Sequence, residues 1–402
     1  MNLRRDALEL HQKYRGKLSV EVKVPVESRE DLSLVYSPGV AEPCKEIHEK
    51  EETIYDYTMR GNLVGVVTNG TAVLGLGDIG AGASYPVMEG KAALFKLFAD
   101  VDAFPICIDR KDPDAFIDAV KALETTFGGI NLEDISAPNC FYIEEKLKEA
   151  LDIPVFHDDQ HGTAIVTAAG LINALKVVQK KLEQVKIVVN GAGAAGIAVV
   201  KLLLNMGVGE IILCDSKGAI YEGRHYRMNP LKEEVAAITN ERRVSGELSE
   251  VLKEADVFIG VSVAGALTKE MVASMNRDPV IFAMANPVPE IMPEEAEKAG
   301  AAVMGTGRSD FPNQINNVLA FPGIFKGALS VSAKEINEEM KVAAVEAIAS
   351  LVDDERLSKD YVIPDPLDNR VVDMVSKAVA DAAIQSGVAR KTKTTDKVEV
   401  KR

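Results

Sequence analysis

The sequence predicts an α/β protein made of two successive parallel-sheet units. Three observations predict it. From about Asn62 onward, short apolar runs alternate with helix-length stretches at the spacing of β-α-β units. At 402 residues the chain is too long for one ordinary core and suits two domains. A glycine-rich motif at 191–196 lies between an apolar run and an unbroken helical stretch.

Taken in order, residues 4–14 suit a short helix, and 18–26 alternates as a strand would. Strands are expected at 63–68, 104–108, 130–134 and 153–156, then at 186–190, 211–214, 257–261, 280–283 and 301–304. Helices are expected at 87–99, 113–126, 141–151, 162–179, 194–206 and 293–299, with closing helices at 334–352 and 370–386. The stretch 162–179 separates the units, giving 1–160, 161–388 and a basic tail at 389–402 that reads as a frayed, solvated end.

Lys and Arg number 46 against 61 Asp and Glu, a net charge of −15 that argues against a nucleic-acid binder. No apolar run approaches the roughly 18 residues of a membrane span. Arg4, Arg5 and Asp6 stand where a secretory apolar region would be, so no signal peptide and a cytoplasmic location are expected. Cys44, Cys107, Cys140 and Cys214 are widely spaced, and Cys107 and Cys214 sit in apolar runs, as buried reduced thiols do.

The pattern G-x-G-x-x-G occurs at 75–80 and at 191–196. Only the second follows a strand and opens a helix, and Asp215 ends the next apolar strand 19 residues after Gly196. That is the fingerprint of a Rossmann-type, doubly wound domain binding a nicotinamide dinucleotide at Gly191-Ala192-Gly193-Ala194-Ala195-Gly196. Asp215 would accept the ribose hydroxyls and favours NAD, although Ser216 and Lys217 beside it could receive the extra phosphate of NADP. The first motif runs into Ala-Gly-Ala-Ser-Tyr-Pro86, where no helix is expected to start directly. Gly75, Leu76 and Gly77 could present backbone amides to a small anion or simply connect two elements.

Lys91 falls in line with Val87, Leu94, Phe95 and Phe98, the apolar stripe of its helix. Desolvation and the nearby helix N-terminus are expected to lower its pKa toward that of a general base, unless the ammonium snorkels to water. Glu133-Asp134 and Asp158-Asp159 follow two parallel strands and emerge at one sheet edge. Converging carboxylates require a cation, and oxygen ligands alone imply magnesium or manganese. Neighbouring strand residues face opposite ways, so Glu133 and Asp134 must sit at a turn, which Ser136-Ala-Pro138 can supply. His157 and His161 are expected in a loop, behind the ligands or purely structural.

These pieces, in this order, resemble the malic enzymes of the short bacterial and archaeal type. The resemblance rests on Leu34-Val-Tyr36-Ser-Pro-Gly-Val, on 66–80 with Lys91, and on Phe156-His-Asp-Asp-Gln-His-Gly-Thr163. Ala285-Asn286-Pro-Val-Pro-Glu290 and the segment 305–323 complete it. It implies an N-terminal substrate and metal domain, with Tyr36 as general acid, Lys91 as general base and Asp158 supporting the lysine. Glu133, Asp134 and Asp159 become the metal ligands. Asn286, Asn316 and Asn317 hold substrate carboxylates beside the 75–77 loop, Asn286 also touching the coenzyme. Asn69 stands where an aspartate is usual, and Ala72 where longer members carry an arginine. No phosphotransacetylase-like extension is expected. The implied reaction is oxidative decarboxylation of malate to pyruvate with NAD or NADP, leaning to NAD, and oxaloacetate decarboxylation is an expected side activity. A homodimer is expected, with Tyr36 donated across the interface. Malolactic conversion and a non-catalytic dinucleotide sensor are the alternatives; an amino-acid dehydrogenase would leave the acidic cluster unexplained.

Overall fold

The structure, a computed structural model, describes residues 2–392. Four helices open it: α1 (Leu3–Tyr14), α2 (Arg29–Val35), α3 (Ala41–Glu49) and α4 (Ile54–Tyr57). None of them buries a side chain. The start of α2 is fixed by Ser28 and Asp31, each side chain accepting the other's backbone N–H. The strand expected at 18–26 does not form. The alternation is real, but no strand pairs with it, and Val20, Val22, Val24 and Val26 are all exposed.

The first sheet holds β1 (Leu63–Thr68), β2 (Asp102–Cys107), β3 (Gly129–Leu132) and β4 (Val155–His157), all parallel, in the order β2-β1-β3-β4. All six residues of β1 are buried, as befits a strand covered on both faces. Helices α5 (Ala81–Leu94), α6 (Pro113–Lys121) and α7 (Asn139–Ala150) make the crossovers. Because β2 lies on one side of β1 and β3 on the other, a crevice opens at the carboxyl ends of β1 and β3.

Contrary to expectation, α5 starts directly after the glycine loop. Gly80, at φ +83, turns the chain into the helix, its carbonyl accepts the Ser84 N–H, and Pro86 costs only one bond in the second turn. The next helix, α8 (Asp158–Val177), also starts earlier than expected, so His157 and His161 lie on its cap and first turn rather than in a loop.

The second sheet has β5 (Lys186–Asn190), β6 (Glu210–Asp215), β7 (Gly218–Ala219), β8 (Val257–Gly260), β9 (Val280–Ala283) and β10 (Val303–Thr306). Its order is β10-β9-β8-β5-β6-β7, parallel except for β7, which runs against β6. Around it lie α9 (Ala194–Asn205), α10 (Pro230–Ile238), α11 (Leu248–Val251), α12 (Lys269–Ala273) and α13 (Pro293–Lys298). The chain closes with α14 (Phe321–Ser330), α15 (Glu338–Ser350) and α16 (Arg370–Gln385).

Helix α14 packs on α16 through Gly323 and Gly327, where a Cβ would come within 2.7 Å of Val375 and 2.5 Å of the Ser376 carbonyl. Its opposite side reaches the first unit: Phe321 and Phe325 meet Phe95 edge-on at 4.7 and 5.3 Å between ring centres, and Phe325 meets Phe156 at 5.9 Å. One hydrophobic core therefore runs through both units.

All four cysteines are free; Cys140 and Cys214 are buried, and Cys107 only half so. The tail begins tied down: Arg390 donates to the Ser332 carbonyl at 3.0 Å and to the Asp152 carboxylate at 2.5 Å, and Lys391 to Asp56 at 2.9 Å. The rest of it, 393–402, lies outside the described residues. No helix among the described residues is long and apolar enough to cross a membrane.

Asp256, just before β8, joins three elements. It accepts from Lys180 Nζ after α8 at 2.8 Å, the Lys186 N–H of β5 at 2.9 Å and Asn276 Nδ2 at 3.1 Å. Burial pushes this carboxyl up, but Lys180, the Lys186 amide and Asn276 outweigh it and leave it below its ordinary value of 3.8. Stability from a lowered carboxyl is present above the unfolded value and lost as pH falls through the folded one. Asp256→Asn is expected to lower Tm by several degrees at pH 7, with the gap closing below about pH 4 in thermal melts.

Candidate active site

The crevice of the first sheet faces the dinucleotide motif of the second across a cleft of about 980 Å³. Lys91 enters it from α5, as the eleventh of its fourteen residues. This is nearer the helix C-terminus than the positive end, and only 8% of the residue is exposed. Its Nζ donates to Asp158, lies 2.9 Å from Glu133 Oε1 and sits 4.2 Å from the centre of the Phe321 ring. Snorkelling is therefore excluded, and beside these carboxylates its pKa is raised rather than lowered as expected. Burial pushes the ammonium down, but Asp158, Glu133 and Asp159 outweigh it and hold it above the ordinary lysine value.

Strand β3 ends at Leu132, so Glu133 and Asp134 lie just beyond it. Asp134 has φ +54, and this left-handed residue supplies the turn that lets adjacent carboxylates face the same space. Asp159 comes from the first turn of α8 and accepts the Asp134 N–H at 2.8 Å. Ligand oxygens of Glu133, Asp134 and Asp159 lie within 4.8 Å of one another. Asn131 Nδ2 holds Glu133 at 2.9 Å, while Asp134 Oδ2 is buried without a partner. Burial and the neighbouring carboxylates Asp159 and Glu133 push Asp134 up to about 8. Burial likewise raises Asp158 to about 7, Lys91 pulling against it and Glu133 with it. Three oxygen donors, a missing partner and carboxylates driven to hold protons together fit a hard divalent cation.

Asp158 is fully buried and also accepts from Asn317 Nδ2, so the second unit reaches the lysine's partner. A Cβ at position 162 would strike Asp158 Oδ1 at 1.9 Å, which is why glycine stands one turn after the aspartate. Asn286, Asn316 and Gly75 line the same cleft. Leu76 and Gly77 do not: Leu76 is 69% exposed, and its N–H is already bonded to the Val73 carbonyl and so is not offered to an anion. Tyr36 also stays outside. It caps the end of α2, 70% exposed, and does not line its own chain's cleft.

The dinucleotide motif has the expected division of labour. Gly191, at φ +124, passes the Val261 carbonyl where a Cβ would stand 2.4 Å away, and a Cβ at Gly196 would meet the Gly191 carbonyl at 1.8 Å. Beside Gly193 there is open space, and α9 starts there without a side-chain cap, leaving amides for a pyrophosphate. Ala194 and Ala195 face the main cleft, whereas Ala192 lines a second cavity of about 530 Å³ with Asp215, Ser216, Lys217 and Lys232. Both oxygens of Asp215 accept from Arg224 Nη2 at 2.9 Å, and Oδ2 also accepts from Lys232 Nζ at 2.6 Å.

Sequence reasoning missed Arg224 and Lys232, which no motif spacing marks, and His11 and Lys17, which line the cleft from the N-terminal segment. It also passed over Glu144. This residue of α7 is buried against His161 and Lys148, and its apolar helical spacing with Cys140 and Leu147 was the available signal.

Comparison with known proteins agrees with this geometry. The malic enzyme N-terminal domain matches residues 15–148, and the malic enzyme NAD-binding domain matches 160–388. The bifunctional malic/malolactic enzyme of Bacillus subtilis is 66% identical over 100% of this chain and 98% of its own. The NAD-dependent malic enzyme of Geobacillus stearothermophilus is 59% identical over 94% of this chain and 78% of its own. The crystal structure of malic enzyme from Pyrococcus horikoshii superposes with a TM-score of 0.93 at 49% identity, covering 98% of this chain and 93% of that one. With both domain models matched in order across an intact lysine–carboxylate cleft, the chain belongs to the malic enzyme family.

Proposed function

We propose that this protein converts L-malate to pyruvate and CO2 while reducing NAD(P)+, in a reaction that requires a divalent ion. The observation that carries the reading is Lys91, buried against Glu133 and Asp158 in the cleft that Gly193 and α9 also border. Glu133, Asp134 and Asp159 would hold magnesium or manganese, which when bound supplies Lewis-acid polarisation and neutralises the carboxylates. With Glu133 and Asp159 engaged by the ion, their share of the pull on the Lys91 proton would fall, leaving Asp158 alone against the burial that favours the free amine. Lys91 then takes the C2 hydroxyl proton as the C2 hydride leaves for the nicotinamide. Asp158, held by Asn317, orients the amine. Asn286 and Asn316 bind the substrate carboxylates, and Gly75 borders them. Oxaloacetate, the β-keto acid so formed, loses CO2, and Tyr36 protonates C3 of the enolate to give pyruvate.

Tyr36 reaches that carbon from a second copy of the chain. The N-terminal segment supports this: Val20, Val22, Leu34 and Tyr36 are 88, 77, 72 and 70% exposed, an apolar face of the kind a homodimer covers. Free thiols and the absence of a membrane-spanning helix among the described residues suit a cytoplasmic enzyme.

For the coenzyme, Asp215 favours the ribose hydroxyls of NAD, while Lys232 and Lys217 beside it offer charge to a 2′-phosphate. NAD is preferred and NADP accepted. Malolactic conversion is the second reading, favoured by the bifunctional name of the 66%-identical relative.

The deciding assay follows the nicotinamide absorbance with L-malate, Mn2+ and NAD+ or NADP+, and then measures pyruvate. Reduced coenzyme matched one-to-one by pyruvate and abolished by EDTA is expected. Malate loss to lactate without net reduction would establish malolactic chemistry instead, and binding without turnover would leave a sensor.

Tyr36→Phe and Lys91→Ala are each expected to lower kcat by about 10²-fold or more. Refolding the two together should restore activity, because the mixed dimer regains one complete site; a mixture no more active than its components would place Tyr36 in its own cleft. Lys232→Gln is expected to raise KM for NADP+ by roughly tenfold and to leave KM for NAD+ nearly unchanged, measured in parallel initial-rate assays.

A further inference from the structure

Helix α8 carries Asp158 and Asp159 at its first two positions, yet His157, its N-cap residue, makes no side-chain cap. The job falls to a residue of another helix. Glu144, on α7, is 5% exposed, and its two oxygens accept the His157 backbone N–H at 3.2 Å and Gln160 Nε2 at 3.3 Å. The same carboxylate bonds His161 Nε2 at 2.8 Å, and Lys148 Nζ lies 2.7 Å away. Three of these four partners belong to the cap and first turn of α8, and the pair of aspartates stands between them in sequence. The His157 ring is fully buried with neither nitrogen bonded, and approaches Asp159 Oδ2 only to 3.6 Å. A negative charge behind a helix N-terminus also answers the positive end of the macrodipole.

We propose that Glu144 is a positioning residue for the divalent-ion site, holding the first turn of α8 so that Asp159 meets Glu133 and Asp134 and Asp158 meets Lys91. The inference rests on the reading of Glu133, Asp134 and Asp159 as the ion's ligands. Glu144 touches none of the reacting groups and sets the ligand geometry through the His157 amide and the Gln160 and His161 side chains. Residues that orient metal ligands from behind typically change metal affinity by about 10–100-fold.

The test measures Mn2+ binding to the metal-free protein by the EPR signal of free Mn2+, with NAD+ binding measured separately by calorimetry. Glu144→Gln keeps the volume and one acceptor oxygen but removes the charge and the shared acceptance. It is expected to weaken Mn2+ about tenfold while NAD+ affinity stays within about twofold. Glu145→Gln, an exposed neighbour on the same helix, removes the same charge without touching α8 and is expected to leave Mn2+ binding unchanged. Equal Mn2+ affinity in wild type and Glu144→Gln overturns the inference, as does an equal loss in Glu145→Gln, which would assign the effect to net charge. If Glu144→Gln fails to fold, His161→Ala replaces it, with a weakening of about threefold or more expected and unchanged affinity overturning the proposal. A wild type that binds no Mn2+ would instead overturn the metal reading and this inference with it.

Discussion

A buried ammonium among carboxylates organises this molecule. Lys91 belongs to α5, Glu133 to the turn after β3, Asp158 to the start of α8, and Asn317, which grips Asp158, to the second unit. Each of the four comes from a different element, so their meeting fixes the relative placement of α5, the first sheet, α8 and the segment before α14. Such a cluster is not a source of net stability, because removing several charges from water costs more than their attraction returns unless the charges balance. Here they do not balance: one lysine faces Glu133, Asp158 and Asp159, with Asp134 beside them. The deficit of positive charge is what suits this junction to a cation.

The fold supports that junction with apolar material placed behind it. Phe95 continues the helix that bears Lys91, and it meets Phe321 and Phe325 of α14 edge-on. Phe321 also lies under the Lys91 ammonium, so one ring serves both the core and the site. Helix α8 begins as the wall of the substrate crevice and ends as a support of the second sheet, packed on α9 and α15. The boundary between the units therefore passes through a continuous helix and a continuous core.

What the sequence disclosed depended on whether the signal was local. Most strands were legible because they are largely buried apolar runs followed by a turn, and the dinucleotide motif because three glycines at fixed spacing answer three steric demands. The turn at Asp134 was legible only as a need, since a left-handed aspartate carries no sequence mark. Two readings, at 18–26 and at Lys91, failed because partners distant in sequence decided the outcome, and a third, at Ala81, because a local signal outweighed Pro86. The alternation at 18–26 found no strand to pair with. The helix at Ala81 started despite Pro86 because Gly80 and Ser84 set its first turn. Lys91 was raised rather than lowered because three carboxylates, all at least 42 positions away, outweighed desolvation. The site's shape was legible as a set of residue types on one sheet edge; its charge balance was not, because that depends on which oxygens actually reach the lysine.

Closing the cleft by a large rotation of one unit against the other would have to break apolar packing that the two units share. Units joined by small polar interfaces rotate freely, whereas these share one apolar core through Phe95, Phe156, Phe321 and Phe325. Separating them would also pull Asn317 away from Asp158, leaving a buried carboxylate short of a donor. The exposed rim is formed by the loop at 74–80, with Leu74 and Leu76 both more than 60% exposed, and by the N-terminal segment, which brings Lys17 to the Pro86 carbonyl. Water exclusion, which a β-keto acid intermediate needs, accordingly falls to the rim of the cleft. At the back of the cleft, the shared aromatic packing and the Asn317–Asp158 contact tie lysine and carboxylates to the unit that bears the dinucleotide motif.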